Sequence, residues 1–428
     1  MNTYGNKLSI SLITLILLLC PGYALSDSIA VQSGDLSSLL EQAQRQQEQL
    51  KIQADQILER AKAIEELKQR IDSIALPPSP SFKESPQTVS SGNDRISLSV
   101  SGQINRAINV ASDGGGTKLY HVDNSSSGTR VRFVGKALVN SNMTLGTRLE
   151  FGIAPDRSSR VSQTDQTPSS IFTTRWAEVS LQDRRFGKLS IGKGDTASKG
   201  SAVQDLSRTD VVQYSAVSLI GGGLKLRNSY FPSALSSIQV RNAFRNHDGL
   251  GRESRLRYDT PQLCGFTLSA SLATEQTSDI ALYWAGDGFG FKVATAGAVS
   301  NPKLTGGGLL YDSSASVLHE PSGLNATFSG AIQKYKNRKD ATNLYAKLGW
   351  IARFTGLGPT AFGVDFTNSG NLPADDDRGY SYSGAVVQSF DRYATELYFQ
   401  YRRYRLDREH FQPLNDISVS TMGVRVKF

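Results

Sequence analysis

The last seven residues, Met422-Gly423-Val424-Arg425-Val426-Lys427-Phe428, put apolar side chains on even numbers and Gly, Arg and Lys on odd ones. A period of two makes a strand with unlike faces, one greasy and one charged. The strand Ile417 to Phe428 runs to the chain terminus and stops on an aromatic residue. Two settings suit it: the closing strand of a membrane barrel, or the edge strand of a soluble β-protein that happens to end in Phe.

Length and hydropathy favour the first setting. The chain has 428 residues, of which only 39% are hydrophobic. No stretch beyond the N-terminus approaches the ~18 consecutive apolar residues that a membrane-spanning helix requires. Any crossing must therefore be made by strands. The 39 Gly, 16 Tyr and 18 Phe suit many short strands joined by tight turns and girdled by aromatic residues at the two interfaces.

The N-terminus reads as three segments ahead of the strands. Residues 1–26 form a signal peptide, with Lys7 in the charged region, Leu8 to Cys20 as the apolar region and Ala24-Leu25-Ser26 as the cleavage site, so the mature chain is expected to begin at Asp27. Leu17-Leu18-Leu19-Cys20 lacks the small residue expected before a lipidated Cys, and Pro21 follows it, which favours plain export. Cleavage leaves Cys264 alone, too little for a disulfide or a cysteine zinc site. Residues 27–76 follow as a helical segment, in which the period becomes seven from Leu36 to Ala75. Leu36, Ala43, Leu50, Ile57, Ile64 and Ile71 recur as one stripe, with Leu39, Leu67 and Ile74 beside it and Gln46, Gln53 and Arg60 in the middle of the companion stripe. That pattern predicts a coiled-coil helix with a loosened centre, and Ile at both core positions of its last heptad leans toward three chains. A helix lying on a membrane should carry a basic polar face, and this one is mixed. Pro77, Pro78, Pro80 and Pro86 then make residues 77–94 a semi-rigid linker.

From Arg95 to Phe428 alternating segments recur between turn residues, and an all-β transmembrane antiparallel barrel is the expected fold. Leu145, Thr147, Leu149, Phe151 and Ile153 alternate with Gly146, Arg148, Glu150 and Gly152, and Ala177, Val179 and Leu181 alternate with Glu178, Ser180 and Gln182. Similar runs occur at 97–109, 129–138, 188–194, 223–230, 252–259, 264–273, 290–299, 343–354, 381–390 and 394–404. At about 20 residues per strand and connection, this length gives about sixteen strands, with both barrel ends on the periplasmic side.

Several segments carry a resemblance. Gly128-Thr129-Arg130-Val131-Arg132-Phe133, Gly146-Thr147-Arg148-Leu149-Glu150-Phe151, Arg175-Trp176-Ala177-Glu178-Val179-Ser180-Leu181 and Phe186-Gly187-Lys188-Leu189-Ser190-Ile191-Gly192-Lys193 resemble, in that order, the first strands of the Gram-negative trimeric outer-membrane porin superfamily. Arg257-Tyr258-Asp259-Thr260-Pro261 followed by Gly265-Phe266 resembles a mid-barrel segment of the same porins. The order helix, linker, basic barrel is further similar to the trimeric dicarboxylate-type porins. The terminal Phe is also how most outer-membrane barrels end.

The resemblance implies a homotrimer in outer-membrane lipid and lipopolysaccharide, with one water-filled pore per subunit and the coiled coil in the periplasm. It further implies that the loop after the strand ending near Lys193, from Gly194 to about Gly221, narrows the pore. That loop carries Asp195, Lys199, Asp205, Arg208 and Asp210. Across the lumen, strand parity places Arg130, Arg132, Arg148 and Glu150, with Arg255 and Arg257 from mid-barrel. Arg175 shares parity with the lipid-facing Ala177 and Val179, which would put it at the interface.

The same placement follows from energetics. A charge on the lipid face at mid-depth costs about 2–4 kcal/mol, so alternating arginines in membrane strands point inward. Inward arginines repel one another, and a water-filled lumen screens them. Rings of Arg and Lys concentrate small anions. Of the formal charge of +8, residues 1–26 hold +1 and residues 27–76 hold −3, so the remaining residues hold +10. These cations are spread along strands with no clustered basic helix, and the chain is exported, which speaks against nucleic acid.

No catalytic, cofactor or metal motif emerges. His121, His247, His319 and His410 are not spaced as a zinc pair, there is no G-x-S-x-G turn, and the glycine triplets at 114–116, 221–223 and 306–308 lack a following Lys-Ser/Thr. Asp375-Asp376-Asp377 reads as a solvated outer loop before it reads as a calcium site. The function expected is passive diffusion of small hydrophilic solutes with anions preferred. The alternatives are a specific uptake channel for small carboxylates, a structural protein whose helix contacts the cell wall, and a barrel-embedded hydrolase with a Ser–His pair.

Overall fold

The computed structural model describes residues 89–428 apart from Asp94, Ser170 and 304–306, together with isolated positions between Glu48 and Lys62. Those isolated positions are helical. The expected signal peptide, the seam of the coiled coil and most of the linker lie outside the described residues. The linker's last part, Val89–Gly92, is a strand paired antiparallel with the first wall strand.

Sixteen antiparallel strands close into a barrel, the number that chain length suggests. The closure is made by Ile417–Lys427, which pairs with Thr395–Asp407 on one side and Ile96–Ser112 on the other. Phe428 extends the seam, exchanging backbone hydrogen bonds of 2.7 and 3.0 Å with Gly102. A Cβ on Gly102 would lie 2.6 Å from the Phe428 ring, so glycine is what lets the terminal aromatic lie flat on its neighbour. Thr117–Asp123 and Arg130–Leu138 pair with successive halves of Ile96–Ser112 and act as one interrupted wall strand.

The wall is apolar outside and polar inside. Leu268, Leu272, Ile280 and Leu282 are exposed, while their sequence neighbours Ser269, Ser271 and Asp279 are buried. At one end the strands are joined by turns such as 184–186, 289–290 and 356–357, and the stacked or tilted pairs Phe266–Trp284 and Trp350–Phe362 lie near it. At the other end the connections include 155–170, 371–377 and 408–416, and Phe366 packs on Tyr380. Aromatic residues at both heights are what a band of hydrocarbon between two interfaces selects.

Two expectations change. The run 223–230 contributes no wall strand: Lys225–Arg227 pairs with Leu235–Gln239 in a separate two-stranded sheet. It belongs to the inward loop, which extends beyond Gly221 over residues 196–251, because Gly187–Asp195 pairs directly with Arg252–Asp259. Its alternation serves a small internal sheet, and period alone does not say which sheet a strand joins.

Candidate functional site: the lumen constriction

The inward loop is hung on the inner wall by hydroxyls and charges. Asp279 accepts from the backbone nitrogens of Ala197 (3.3 Å) and Ser198 (2.8 Å), and Ser314 and Ser316 accept from those of Gln204 and Leu206, both at 2.9 Å. Ser201 binds Asp312, and Ser329 donates to the Ala202 carbonyl at 2.8 Å. Lys347 pairs with Asp205 and donates to Ser207 (2.7 Å), Thr209 (3.0 Å) and the Gln213 carbonyl (3.1 Å). Gln213 reaches Ser383 at 2.8 Å, and Tyr404 donates to the Val217 and Ile220 carbonyls at 2.7 and 2.6 Å. Each bond satisfies a polar or charged group that burial would otherwise leave unpaired. Val211, Val217, Ile220, Leu224 and Phe244 of the loop join Tyr345, Tyr398, Tyr404, Ile417 and Val419 of the wall in an apolar core inside the barrel.

The wall from Arg130–Leu138 through Met143–Ala154 to Ile171–Asp183 is built differently. Glu150 stands opposite Arg132 on one neighbour and Trp176 on the other. Its carboxylate takes Arg132 Nε at 2.7 Å, Arg148 Nη2 at 2.8 Å and Arg175 Nε at 2.6 Å, with Arg130 Nε at 3.9 Å. The Glu150 side chain is 1% exposed and the four arginine side chains are 22–35% exposed. One carboxylate thus bonds three arginines and lies beside a fourth, which leaves a surplus of about three positive charges on the inner face of the wall. Arg148 also lies 3.6 Å over the Trp176 ring, a cation–π contact that fixes its height.

Arg175 enters this group through a β-bulge. Register shifts between Glu150 and Phe151, where Trp176 and Thr174 are the consecutive partners, so Arg175 is the extra residue. Strict alternation assigned it to the outer side; the bulge turns it inward.

The other expected site residues take different posts. Arg255 is spent on Glu178 at 2.5 Å and on the Asp195 and Gly192 carbonyls at 2.8 and 2.9 Å, and a Cβ on Gly194 would lie 2.8 Å from its guanidinium. Arg257 pairs with Asp259 at 2.7 Å and donates to the Thr196 carbonyl at 2.8 Å, holding the start of the loop. Asp195 pairs with Arg252 at 2.7 Å, and Lys199 with Asp248. Asp205 faces away from the lumen arginines, into the buried pair with Lys347. Arg208 and Asp210 are exposed on the loop. Arg425 lies within electrostatic reach of both Asp210 and Arg130, and pairs with Glu396. Below the arginine group a cavity of about 560 Å³ is lined by Arg132, Lys136, Arg148, Arg184 and Lys188 among others.

Beyond Arg175, residues not anticipated are Arg252, Lys347 and the serines that seat the loop. Arg425 and Lys427 were legible, since they are the charged face of the closing strand. Asp376, Glu409 and His410 could meet on one ion, but Asp376 already binds Lys339 and lies 3.6 Å from His410. His319 meets Ser322 at 2.7 Å within one turn, where Ser322 also accepts from Leu324 nitrogen, so the contact tightens the turn.

The family model described as Gram-negative porin matches residues 81–427. The chain belongs to that family. It is an outer-membrane porin, with its short turns on the periplasmic side and its longer loops outside. Among solved structures, the anion-selective porin from Comamonas acidovorans is 16% identical with a TM-score of 0.53, covering 78% of this chain and 100% of that one. The trimer form of in-vitro folded OmpT of Vibrio cholerae is 14% identical with a TM-score of 0.51, covering 78% and 100%. OmpF of Salmonella typhi, in complex with daunomycin, is 13% identical with a TM-score of 0.50, covering 79% and 100%. No curated protein matches the sequence closely enough to serve as a relative.

Proposed function

We propose that this porin passes small hydrophilic solutes by passive diffusion and prefers anions. The observation that carries the reading is the group of four arginines on the single carboxylate of Glu150. A surplus of positive charge beside a water-filled path raises the local concentration of anions and lowers that of cations. Asp210 on the loop and the arginines on the wall would set up a field across the pore. The residues assigned to the constriction are Arg130, Arg132, Arg148, Arg175 and Glu150 on the wall and Arg208 and Asp210 on the loop.

The working form is a homotrimer in a bilayer with lipopolysaccharide outside, and residues 27–76 form a periplasmic coiled coil joined by the linker. The heptad stripe supports that assignment, and Ile at both core positions of the last heptad supports three chains.

Single-channel recording in a planar bilayer under a salt gradient tests the reading. The reversal potential should be anion-selective, and Arg130→Gln, Arg132→Gln and Arg148→Gln together should move it most of the way to zero. A cation-selective potential that the three changes leave in place would overturn the anion preference. Conductance in three equal steps is the expected sign of the trimer.

A further inference from the structure

A second group of cations stands apart from Glu150, at the loop end of the barrel. Arg160, Arg241 and Arg245 make no ion pair among the described residues, where most other lumen arginines have a carboxylate. Arg160 and Arg245 are exposed and Arg241 is half-buried.

Backbone packing brings them together from distant parts of the chain. Arg241 is the second residue of the short helix Val240–Ala243, and its nitrogen donates to the Gly222 carbonyl at 3.0 Å. The adjoining Gly223 is pressed against the loop 155–170, where a Cβ would lie 2.2 Å from the Arg160 carbonyl. Arg160 and Arg241 therefore sit on either side of two glycines that leave no room for side chains between them. Arg245 follows the cap of that helix, where Phe244 nitrogen bonds the Val240 carbonyl at 3.0 Å and ends the turn. Each of Arg160 and Arg245 is within electrostatic reach of Arg241.

Gathering three unpaired guanidinium groups costs repulsion that a surface could avoid by spreading them. The arrangement gains if a ligand with more than one negative charge shares them, since Arg offers fork-shaped pairs of donors to carboxylate and phosphate oxygens. Arg157 continues the series inward. It lies within reach of Arg160 on one side and of Arg175, a member of the Glu150 group, on the other.

We propose that Arg160, Arg241 and Arg245 form a loading site at the outer mouth that captures compact dianions, an inorganic phosphate or a short dicarboxylate, and hands them to the constriction. This rests on the anion preference proposed above and adds a substrate class and a direction. Three positive charges favour a dianion over chloride at the mouth, so entry from the loop side is faster than entry from the turn side. The site adds to the capture rate and leaves the selectivity of the constriction as it is.

The test uses the full-length channel in a planar bilayer with chloride as carrier. Inorganic phosphate, and in a second arm malonate, is added to one side at a time and the rate of transient current blocks is read. Loop-side addition to the native channel should block at a higher rate than turn-side addition. Arg160→Gln, Arg241→Gln and Arg245→Gln together should lower the loop-side rate about tenfold, within the range that electrostatic steering covers. The turn-side rate and the reversal potential in potassium chloride should not move. Arg245→Gln alone, at an exposed position that burdens folding least, should give part of the loss. Lys303→Gln removes one exposed charge from another loop at the same end and should leave the rate unchanged.

Equal block rates from the two sides, or a triple variant that blocks like the native channel, would overturn the loading site while an anion-selective reversal potential still stood. A cation-selective reversal potential is the distinct failure of the anion reading. Block by phosphate alone or by malonate alone tells which dianion the site takes.

Discussion

Two sectors of the same inner wall use the same residue types for opposite ends. Along Phe266–Ala273 to Thr395–Asp407, the inward Ser, Asp, Lys and Tyr side chains are consumed in holding the inward loop, and Lys347 and Arg402 are 0% and 1% exposed in their pairs with Asp205 and Asp365. Along Arg130–Leu138 to Ile171–Asp183, four arginines crowd one carboxylate and keep 22–35% of their surface for water. In the anchoring sector Lys347 and Arg402 are each matched by one carboxylate, and Asp279 and Asp312 are held by hydroxyls and backbone N–H groups; the arginine sector leaves a surplus of cations. An inward charged residue is therefore not by itself a pore residue, and what its side chain is bonded to tells which work it does.

The comparison breaks most sharply at Lys347. Lys347→Met leaves Asp205 buried with no cation, and removing one partner of such a pair costs about 3–5 kcal/mol. Thermal unfolding should move down accordingly, and open-channel current should become larger and noisier as the loop leaves the wall. Asp205→Asn added to Lys347→Met should recover much of the loss, because a neutral pair carries no uncompensated charge. If the single variant keeps native noise and stability, the anchoring sector is not what seats the loop.

Glu150→Gln sharpens the other side. It removes the carboxylate that the four arginines share, with charged hydrogen bonds worth on the order of 2 kcal/mol. Because these groups are partly hydrated, the cost should be smaller than at Lys347. The reversal potential should move further toward the anion limit, the direction opposite to neutralising the arginines. A shift toward cations would mean that the group does not line the path.

The sequence made the barrel legible because membrane strands obey a period of two over their whole length, and a one-sided solvent enforces it. The strand at 417–428 and the cationic pair Arg130 and Arg132 are found by alternation alone. The strands Ser278–Gly288, Gly307–His319, Leu324–Tyr335 and Gly358–Gly370 escaped a reading by charged and apolar alternation. Their inward faces are largely Ser, Thr, Asn, Ala and Gly, which contrast weakly with the apolar face. Arg175 was lost to a single inserted residue, since a bulge leaves no compositional mark. Arg255 and Arg257 had the right parity and Asp205 the right loop, but Glu178 and Lys347 reach Arg255 and Asp205 from far along the chain, and Arg257 is taken by Asp259 two residues on and by the Thr196 carbonyl of the loop; pairing of that kind has no period.

The smallest effect expected comes from the returning limb of the loop. His247 has a left-handed backbone, φ 51°, and its Nε2 is buried without a hydrogen-bond partner. Burial, with Arg245 nearby adding repulsion, pushes its imidazolium down to about 4 from the ordinary 6.5. Between those two values the unfolded or detached loop binds a proton that the seated loop refuses, so the seated state loses stability as pH falls from about 6.5 toward 4 and is fully favoured above that window. The measurement is a difference between two channels, so that effects of acid elsewhere cancel. The native channel and His247→Gln should show equal current noise at pH 7.5, and at pH 5 the native channel should be the noisier, because only it carries a group that gains a proton on leaving the wall. Noise that rises equally in both on acidification would place the pH response elsewhere and remove His247 from the seating of the loop.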